Sequence, residues 1–444
     1  MYEWRLKKGS DKKFKSGHPW VFSSELAQSP KNVQAGALVD LYEYEGAFLA
    51  RGYGHPNSMI SFRVLTRSKQ EPVDSEFFAG RFLEASRARQ TAGVYDYSHR
   101  FIFAEGDDLP GLIIDRFRLS NLGRAAQVFV LQFSTAGMDR LTESALEGLE
   151  LFVVRECERD SQSPTWDSTA IVIANDSKSR ALEGIEVTPK AVHRTIEGFS
   201  PTSAQILIQP SLEILKPVVF EVDFVGGQKT GFFLDQRLNV ALSATLARNV
   251  MRNFLAQQAE TPSTELRSTL KILDLCCYVG QWGTQFAHLA TSLGLRAEVT
   301  LLDASQKALE IAARNVGHQG GEAKTMKMDV LNDLSKLPKR EYDIVICDPP
   351  AFIKKKKDLP AGTAAYHKLN REAIRRTKRG GLFVSCSCSG LFTEEEFRLV
   401  LAKASLTQEN RVRWLLRGNH SPDHPQRPEF PQGTYLKSWM GIIL

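Results

Sequence analysis

From about residue 215 onwards, short apolar runs rich in β-forming residues alternate with segments of helical periodicity. A strand that is followed by a helix and then by another strand favours parallel pairing through a crossover connection. We therefore predict a doubly wound, mainly parallel α/β sheet in this part of the chain. The predicted strands are Ile272–Cys276, Ala297–Leu302, Thr325–Met328, Tyr342–Cys347 and Leu382–Cys386.

Two helices of this region carry signals at their ends. Ser305 precedes a segment with apolar residues on one face, so we expect it to cap a helix. The segment Tyr366–Lys378 is charged and amphipathic, and Gly380 and Gly381 are predicted to close this helix before the next strand begins.

The first half of the chain has a different sequence pattern. Residues 1 to about 70 hold short β-prone runs broken by Gly and Pro, which predicts a small β-rich domain. A mixed α+β segment follows, and its polar stretch near 188–204 is predicted to be a linker or an irregular loop. Its predicted elements are helices at Ser75–Gln90 and Asp139–Val154 and strands at Gly111–Asp115 and Gln127–Phe133. We place the domains at 1–70, 71–210 and 211–444.

The length of 444 residues suits two or three domains. The sequence has no signal-peptide pattern and no apolar run long enough to cross a bilayer, so we expect a soluble, cytoplasmic protein. No cysteine pair has zinc-ribbon spacing, so a structural metal is not expected. In a reducing cytoplasm the thiols remain free, so no disulfide is expected. The cysteines are Cys157, Cys276, Cys277, Cys347, Cys386 and Cys388.

The formal net charge is +6, and the basic residues are unevenly distributed. Lys12, Lys13 and Lys15 lie close to the N-terminus, and Lys354–Lys357 form one unbroken run. Clusters of this kind are compatible with a polyanionic partner such as RNA. On composition alone, a solvated protein surface explains them equally well.

Candidate ligand residues follow the first two strands of the predicted sheet. Asp274 lies towards the end of the first strand, and Gly280 and Gly283 come in the turn that follows the strand. Glycines there would let the backbone approach a ligand closely, although tight strand-to-helix turns also need them. Asp303 ends the second strand, where a carboxylate accepts the ribose hydroxyls of an adenosine cofactor. Together these residues indicate a nucleoside cofactor.

The next two strands narrow the prediction to a methyltransferase. Asp329 follows the third strand, in a position to meet an adenine amino group. Asp348 follows the fourth, and Pro349 and Pro350 fix a rigid, extended exit behind it. We expect Asp348 to face a substrate base beside the methyl group of the cofactor.

Cys388 stands just beyond the fifth strand, in a turn rich in Ser and Gly. Carbon 5 of a pyrimidine is a weak nucleophile, and addition of a thiolate at carbon 6 activates it. Covalent catalysis of this kind also needs an acid that holds or protonates N3 of the ring, and Asp348 is the candidate. Cys386 is expected to remain in the strand, and Cys347 to face the core.

These residues resemble the bacterial 23S ribosomal RNA (cytosine-5)-methyltransferases, which combine a PUA domain, a small middle domain and a Rossmann-like catalytic domain. The likeness spans nearly the whole chain. The matching motifs are Lys8–Ser10, His18–Phe22, Leu49–Gly52, Glu105–Arg116, Lys229–Arg237, Ser387–Leu391 and Gly433–Lys437. One departure is Val279-Gly280-Gln281-Trp282, where the family usually has Thr-Gly-Gly-Phe.

The resemblance implies a class I methyltransferase fold, S-adenosylmethionine as cofactor, ribosomal RNA as partner and Cys388 as nucleophile. A PUA-like domain at 1–70 would bind RNA. The implied cofactor-binding residues are Phe233, Gln236, Arg237, Asp274, Cys276, Tyr278, Gly280, Gly283, Asp303, Ala304, Asp329, Val330, Asp348 and Pro349. The predicted RNA-binding residues are Lys12, Lys13, Lys15, Arg51, Lys354 and Lys355.

Two other functions stay open at this point. A methyltransferase acting on a nitrogen of guanine or adenine in RNA would share Asp-Pro-Pro but would have no use for Cys388. A non-catalytic ribosome-assembly factor would keep the fold, but the joint presence of Asp303, Asp329, Asp348 and Cys388 argues against it. The oligomeric state is open, and a homodimer is one option.

Overall fold

The computed structural model describes residues 1–122, 125–209, 216–259, 269–331, 334–406 and 411–444. The chain forms two compact units, each built from separate stretches of sequence. The first comprises Met1–Leu207, Asp223–Phe232 and Pro422–Gly433, and the second comprises Ile208–Val222, Phe233–Ser421 and Thr434–Leu444. The predicted domain boundary at 210 and 211 lies outside the described residues.

The first unit begins with a five-stranded sheet, as the short β-prone runs at the N-terminus predict. Its strands are β1 (Tyr2–Arg5), β2 (Trp20–Phe22), β3 (Leu38–Tyr42), β4 (Phe48–Gly54) and β5 (Ile60–Thr66), in the order β1-β3-β4-β5-β2. A short helix, α1 (Asp11–Lys15), places Phe14 in the core of this sheet while its lysines remain exposed. The core is completed by Trp4, Val21, Val39, Leu41 and Phe62.

A second five-stranded sheet follows in the same unit, and helices cover it. The helices are α2 (Ser75–Thr91), α3 (Ala136–Arg140), α4 (Thr142–Arg159) and α5 (Ser179–Leu182). The strands are β6 (His99–Phe103), β7 (Leu112–Arg118), β8 (Gln127–Phe133), β9 (Thr169–Ile173) and β10 (Ala191–Arg194), in the order β10-β9-β8-β7-β6. Asp74 caps α2 by accepting a hydrogen bond from the Phe77 amide. The irregular stretch predicted near 188–204 therefore contains a strand, β10.

Buried side chains of the N-terminal sheet contact the loops and the helix end around the second sheet of the same unit. Tyr53 of β4 is buried, and its hydroxyl donates to the Pro110 carbonyl at 2.7 Å and lies 2.9 Å from the Thr135 hydroxyl. Arg63 of β5 forms a buried ion pair with Glu183 at 2.9 Å. Contacts of this kind fix the N-terminal sheet against the sheet that follows it.

The second unit contains the predicted doubly wound sheet. β11 (Ala204–Ile208) lies where the first stretch of the first unit ends, and only its last residue belongs to the second unit. In chain order the elements of the second unit are then β12 (Val218–Val222), α6 (Arg237–Ala259), β13 (Leu270–Leu275), α7 (Gln281–Ser292), β14 (Ala297–Asp303), α8 (Gln306–His318), β15 (Glu322–Lys327), β16 (Tyr342–Cys347), α9 (Leu359–Arg376), β17 (Thr377–Ser387), α10 (Glu394–Ser405), β18 (Val412–Gly418) and β19 (Lys437–Ile443). Ser305 caps α8 through the Ala308 amide, as predicted.

The seven strands of this sheet run in the order β15-β14-β13-β16-β17-β19-β18. The pairs from β15 to β17 are parallel, and β19 pairs antiparallel with both β17 and β18. From β13 the chain adds β14 and β15 on one side of the sheet, and then β16 and β17 on the other side. Open α/β sheets bind ligands where the strand order reverses in this way. The fold-class prediction is confirmed.

Both ends of helix α9 differ from the predicted Tyr366–Lys378, because the helix begins at Leu359. α9 ends at Arg376, and Gly380 and Gly381 lie inside β17 instead of closing the helix. The register between β16 and β17 shifts in this region, so the glycines occupy an irregular part of the strand. Glycine inside a strand commonly marks such a site.

No helix in the described part of the chain is long and apolar enough to span a membrane.

Candidate functional site

The predicted site residues of the second unit gather at one edge of its sheet. Leu275 of β13 pairs with Leu302 of β14 and with Cys347 of β16, and Cys347 pairs with Ser385 of β17. The parallel strands β13, β14, β16 and β17 therefore end at nearly the same level. The loops that follow them carry the acidic residues and the cysteine singled out from the sequence.

Asp274 lies at the end of β13 and is fully buried. Its Oδ2 accepts a hydrogen bond from the Gly283 amide at 2.9 Å, at the start of α7. Its Oδ1 has no hydrogen-bond partner among the described residues. Burial raises the pKa of Asp274 to about 8, because the desolvated carboxyl group prefers its neutral form.

The loop between β13 and α7 turns sharply. Cys276, Tyr278 and Gly280 all have positive φ angles, of 61°, 49° and 80°. A Cβ atom at Gly283 would lie 2.8 Å from Val299 Cγ1 of β14. Gly283 therefore serves the close packing of α7 on the sheet.

Asp303, the last residue of β14, is half-buried and accepts two backbone hydrogen bonds. The Tyr278 amide donates to Oδ2 at 2.9 Å and the Ser305 amide donates to Oδ1 at 2.8 Å. The carboxylate thus ties the loop after β13 to the start of α8. Ala304 beside it is exposed.

Asp329 lies two residues beyond the end of β15, so the strand stops earlier than predicted. The carboxylate is exposed and accepts a hydrogen bond from the Leu331 amide at 2.9 Å. Val330 is buried in the core under the sheet. Asp329 therefore presents its carboxylate to solvent at this edge of the sheet, whereas the neighbouring Val330 faces the core.

Asp348 directly follows β16, and each of its carboxylate oxygens accepts a hydrogen bond from a side chain. Gln236 Nε2 donates to Oδ1 at 2.9 Å, and Trp282 Nε1 donates to Oδ2 at 3.1 Å. Asn239 Nδ2 in turn donates to Gln236 Oε1 at 2.6 Å. Pro349 behind the carboxylate is buried. The arrangement suits a carboxylate that acts as a hydrogen-bond acceptor.

Phe233, which precedes α6, and Arg237, its first residue, are two further residues predicted to bind the cofactor. The ring of Phe233 packs edge-on against the ring of Tyr278, with 5.0 Å between the centroids. Arg237 is buried and donates a hydrogen bond to Gln209 Oε1 at 3.2 Å. Phe233 therefore reaches the glycine loop through Tyr278, whereas Arg237 is directed to Gln209.

Cys388 is the first residue beyond β17 and is partly exposed, with Sγ 3.8 Å from the Pro349 carbonyl oxygen. Cys386 lies within β17, is fully buried and contacts the Ser438 hydroxyl at 3.3 Å. Cys347 lies in the core. Burial raises the pKa of the Cys347 and Cys386 thiols well above the ordinary value, and it does the same for Cys276 and Cys277. Among the thiols of this edge, Cys388 and Cys276 are partly exposed, and Cys388 is the one that lies beside Pro349.

Lys437 is a neighbour of Cys388 that the sequence analysis cited only as part of a motif. Its Nζ donates to the carbonyl oxygens of Ser389 at 2.8 Å and Phe392 at 2.6 Å, which secures the turn that follows β17. Burial lowers the pKa of Lys437 to about 8, against an opposing effect of the Cys388 thiol. Sequence alone gives no signal for this contact, because Lys437 reaches the turn through strand pairing of β19 with β17.

The predicted RNA-binding residues behave differently from one another. Lys12 and Lys13 are exposed on α1, whereas Lys15 is exposed but forms ion pairs with Asp11 and Glu43. Arg51 donates to both carboxylate oxygens of Asp40, at 2.8 and 3.1 Å, and is mostly buried, so its charge is compensated within the fold. Lys354 and Lys355 are exposed in the second unit, a few residues beyond Asp348. Within the described residues, His, Cys, Asp and Glu form no group of three that could hold a metal ion.

Two family models match parts of the sequence. Residues 5–67 match a PUA-like domain, and residues 253–411 match a methyltransferase small domain. Two solved structures resemble the whole chain, each with 17% sequence identity and full coverage of both chains. One is described as a methyltransferase complexed with SAH, with a TM-score of 0.69. The other is described as a SAM-dependent methyltransferase from Streptococcus mutans, with a TM-score of 0.68. At this identity the likeness establishes the fold alone.

Curated relatives match over nearly the full length of the chain. A protein of Klebsiella pneumoniae subsp. pneumoniae is 30% identical over 441 residues, which cover 98% of this chain and 96% of that protein. A protein of Shewanella denitrificans is 30% identical over 449 residues, covering 99% and 98% respectively. A protein of Salmonella arizonae is 30% identical over 441 residues, covering 98% and 96%. All three carry the name ribosomal RNA large subunit methyltransferase I.

Proposed function

The chain belongs to the family of ribosomal RNA large subunit methyltransferase I, and from this membership we propose that it methylates carbon 5 of a cytidine in large-subunit ribosomal RNA. The observation that carries the choice of carbon 5 is the partly exposed thiol of Cys388 beside the Asp348–Pro349 segment. Transfer to a ring or exocyclic nitrogen needs no thiol, because nitrogen is already nucleophilic.

S-adenosylmethionine supplies the electrophilic methyl group, and the edge residues of the second unit fit such a ligand. The unpartnered Oδ1 of the buried Asp274 fits a donor brought by a ligand, such as the ammonium group of the methionine part. Asp303, at the end of the neighbouring strand, fits the ribose hydroxyls, and the exposed Asp329 fits the adenine amino group. Tyr278 and Phe233 supply aromatic surface at the same loop.

Cys388 acts as the nucleophile on the pyrimidine. Its thiolate forms a bond to carbon 6, the carbon 5–carbon 6 double bond opens and N3 takes up a proton, which leaves an electron-rich carbon 5. After carbon 5 has gained the methyl group, a base removes the carbon 5 proton, the double bond forms again and the thiolate leaves. N3 then gives up the proton that it took up when the adduct formed. Lys437 secures the turn that presents the thiol.

Asp348 holds the base edge during these steps. An ionised carboxylate accepts hydrogen bonds only, and each oxygen has the capacity for two. One oxygen can accept a hydrogen bond from the exocyclic amine of cytosine, and the other can accept a hydrogen bond from the protonated N3. Asp348 therefore stabilises the protonated ring without having to be the acid that donates the proton.

The first unit contributes RNA affinity. Strands β2 to β5 and helix α1 fall within the residues that match a PUA-like domain, and Lys12 and Lys13 are exposed on α1. Exposed lysines bind phosphates and release counterions, which adds affinity without sequence preference. Lys354 and Lys355 provide a second basic surface, on the second unit.

The decisive experiment traps the covalent adduct. A ribosomal RNA fragment carrying 5-fluorocytidine is incubated with the protein and S-adenosylmethionine, because fluorine at carbon 5 cannot be removed as a proton. We expect a protein–RNA adduct that survives denaturation and maps to Cys388 by mass spectrometry. Cys388→Ala should give no adduct, whereas the matched control Cys386→Ala, which removes a fully buried thiol, should still give one.

Three results would overturn the proposal. An adduct on Cys347 or Cys386 would reassign the nucleophile. Methylation at the full rate by Cys388→Ala would exclude a covalent mechanism. A methylated nucleoside other than 5-methylcytidine in unmodified ribosomal RNA would exclude the proposed product.

A further inference from the structure

Two uncharged side chains from distant parts of the second unit meet at the Asp348 carboxylate. Trp282 Nε1 donates to Oδ2 at 3.1 Å, and Gln236 Nε2 donates to Oδ1 at 2.9 Å. Both atoms can only donate a hydrogen bond. Each oxygen of the carboxylate therefore accepts a hydrogen bond from a neutral donor, and the two bonds orient the group.

Both donors are themselves fixed by the fold. The Trp282 side chain is 3% exposed and packs edge-on against Phe286 within α7, with 6.2 Å between ring centroids. Gln236 is 4% exposed, and its carbonyl oxygen accepts a hydrogen bond from the fully buried Asn239 at 2.6 Å. A hydrogen bond from Asn239 to this oxygen defines which end of the Gln236 amide faces Asp348.

We propose that Trp282 and Gln236 are positioning residues that hold the Asp348 carboxylate as a hydrogen-bond acceptor for the amino edge of the substrate pyrimidine. This inference rests on the proposed function. A carboxylate fixed in this way favours cytosine, which offers an amine at carbon 4, over uracil, which offers a carbonyl oxygen there. The two residues thus contribute to base selection through Asp348 and do not themselves touch the reacting atoms.

Trp282→Phe tests the inference, since it keeps an aromatic ring and removes only the indole N–H and part of the ring system. In single-turnover methylation of ribosomal RNA we expect the rate to fall by about tenfold, the equivalent of about 1.4 kcal/mol. Affinity for S-adenosylmethionine, measured by calorimetry, should change by less than about twofold. Cofactor affinity has to be measured because Trp282 lies next to the loop after β13, and a change in that loop could weaken cofactor binding.

Trp439→Phe is the matched control. It removes an indole N–H that donates to Glu394 Oε1 at 2.8 Å, also an indole–carboxylate bond, on the other side of the turn after β17. The control should methylate RNA at the wild-type rate. A Trp282→Phe enzyme with the wild-type rate, or one whose loss is explained by weaker cofactor binding, would overturn the positioning role.

A spectroscopic measurement keeps the test independent of activity. The indole N–H signal of Trp282 is identified in ¹⁵N-tryptophan-labelled protein by its absence from Trp282→Phe. Asp348→Asn should shift this signal, because the acceptor changes from a carboxylate to an amide, and should leave the Trp439 signal in place. An unmoved Trp282 signal in Asp348→Asn would show that the bond is absent. If the signal shifts in Asp348→Asn but the wild-type enzyme forms no 5-methylcytidine, the proposed function is contradicted and the bond is not.

Discussion

At the scale of single residues, Asp274 combines complete burial with only one bonded oxygen. Its pKa is raised from an ordinary value of 3.8 to about 8, chiefly by desolvation. The folded protein therefore keeps a proton there that the unfolded chain loses between these two values. The stabilising contribution is fully present below pH 3.8 and is lost as the pH rises through about 8.

We predict that Asp274→Asn reduces the pH dependence of stability in the cofactor-free protein. One proton held by the folded state alone changes the free energy of unfolding by about 1.4 kcal/mol per pH unit. The free energy of unfolding of the wild-type protein, measured with urea, should fall between about pH 5 and 8. For Asp274→Asn the fall per pH unit should be smaller, by up to the value just given. The control is Asp329→Asn, which changes an exposed carboxylate at the same edge. Equal slopes for wild type and Asp274→Asn would contradict the prediction.

Residues that follow a strand could be predicted from the sequence, whereas contacts between distant segments could not. The position of Cys388 beyond β17, and of Cys386 within it, followed from the apolar run and the glycine behind it. Trp282 and Asp348 are separated by 66 positions, and Lys437 lies 48 positions from Ser389. Such pairs are brought together by the strand order, which local patterns do not contain.

At the scale of elements, strand pairing decides where helices and strands end. β17 was predicted as Leu382–Cys386 but begins at Thr377, because Thr377 pairs with Tyr342 of β16 before the register shifts. Local propensity at the glycine pair favoured a helix end, and long-range pairing overrode it. The parallel β13, β14 and β16 were easier to predict, since each is a short apolar run buried on both faces.

Close packing between α7 and β14 predicts a sensitive glycine. Gly283→Ala would place a Cβ atom 2.8 Å from Val299 Cγ1 and 3.2 Å from Asp274 Oδ2. We expect this variant to lose about 1–3 kcal/mol of stability through overpacking. The control is Gly317→Ala in α8, where a Cβ atom would meet nothing within 4 Å. It should be neutral or gain up to about 1 kcal/mol from helix propensity.

Urea unfolding of the two alanine variants measures both effects under the same conditions. A Gly283→Ala protein that unfolds at the same urea concentration as the wild type would show that α7 can move away from β14 without cost. Loss of stability in Gly317→Ala would instead point to a general intolerance of the second unit towards new methyl groups.

At the scale of the whole molecule, the N-terminal sheet belongs to a larger compact unit. Removing residues 1–70 would delete Tyr53, which fills space beside Gly137, and Arg63, which pairs with the buried Glu183. The remainder would expose apolar surface and leave the buried Glu183 without its partner. Weaker RNA binding by a truncated protein could therefore result from misfolding and not from lost RNA contacts. Substitution of exposed side chains tests the RNA-binding role without this cost.

Neutralising two exposed lysines on α1 should weaken RNA binding and leave the rest of the protein intact. Each phosphate contact that is lost lowers the slope of log affinity against log salt by about 0.7–0.9. Lys12→Gln combined with Lys13→Gln should therefore reduce both RNA affinity and this slope, with cofactor affinity unchanged. Lys15 is left in place because it pairs with Asp11 and Glu43.

Lys31→Gln serves as the matched control, because Lys31 is an exposed lysine of the first unit outside the cluster on α1. Filter binding to a ribosomal RNA fragment over a range of salt concentrations measures affinity and slope together. If the double variant keeps the wild-type slope, α1 does not contact phosphates, and the basic residues of the N-terminal sheet are a solvated surface. If Lys31→Gln lowers the slope as much as the double variant does, RNA binding depends on the net charge of the first unit and not on the position of α1.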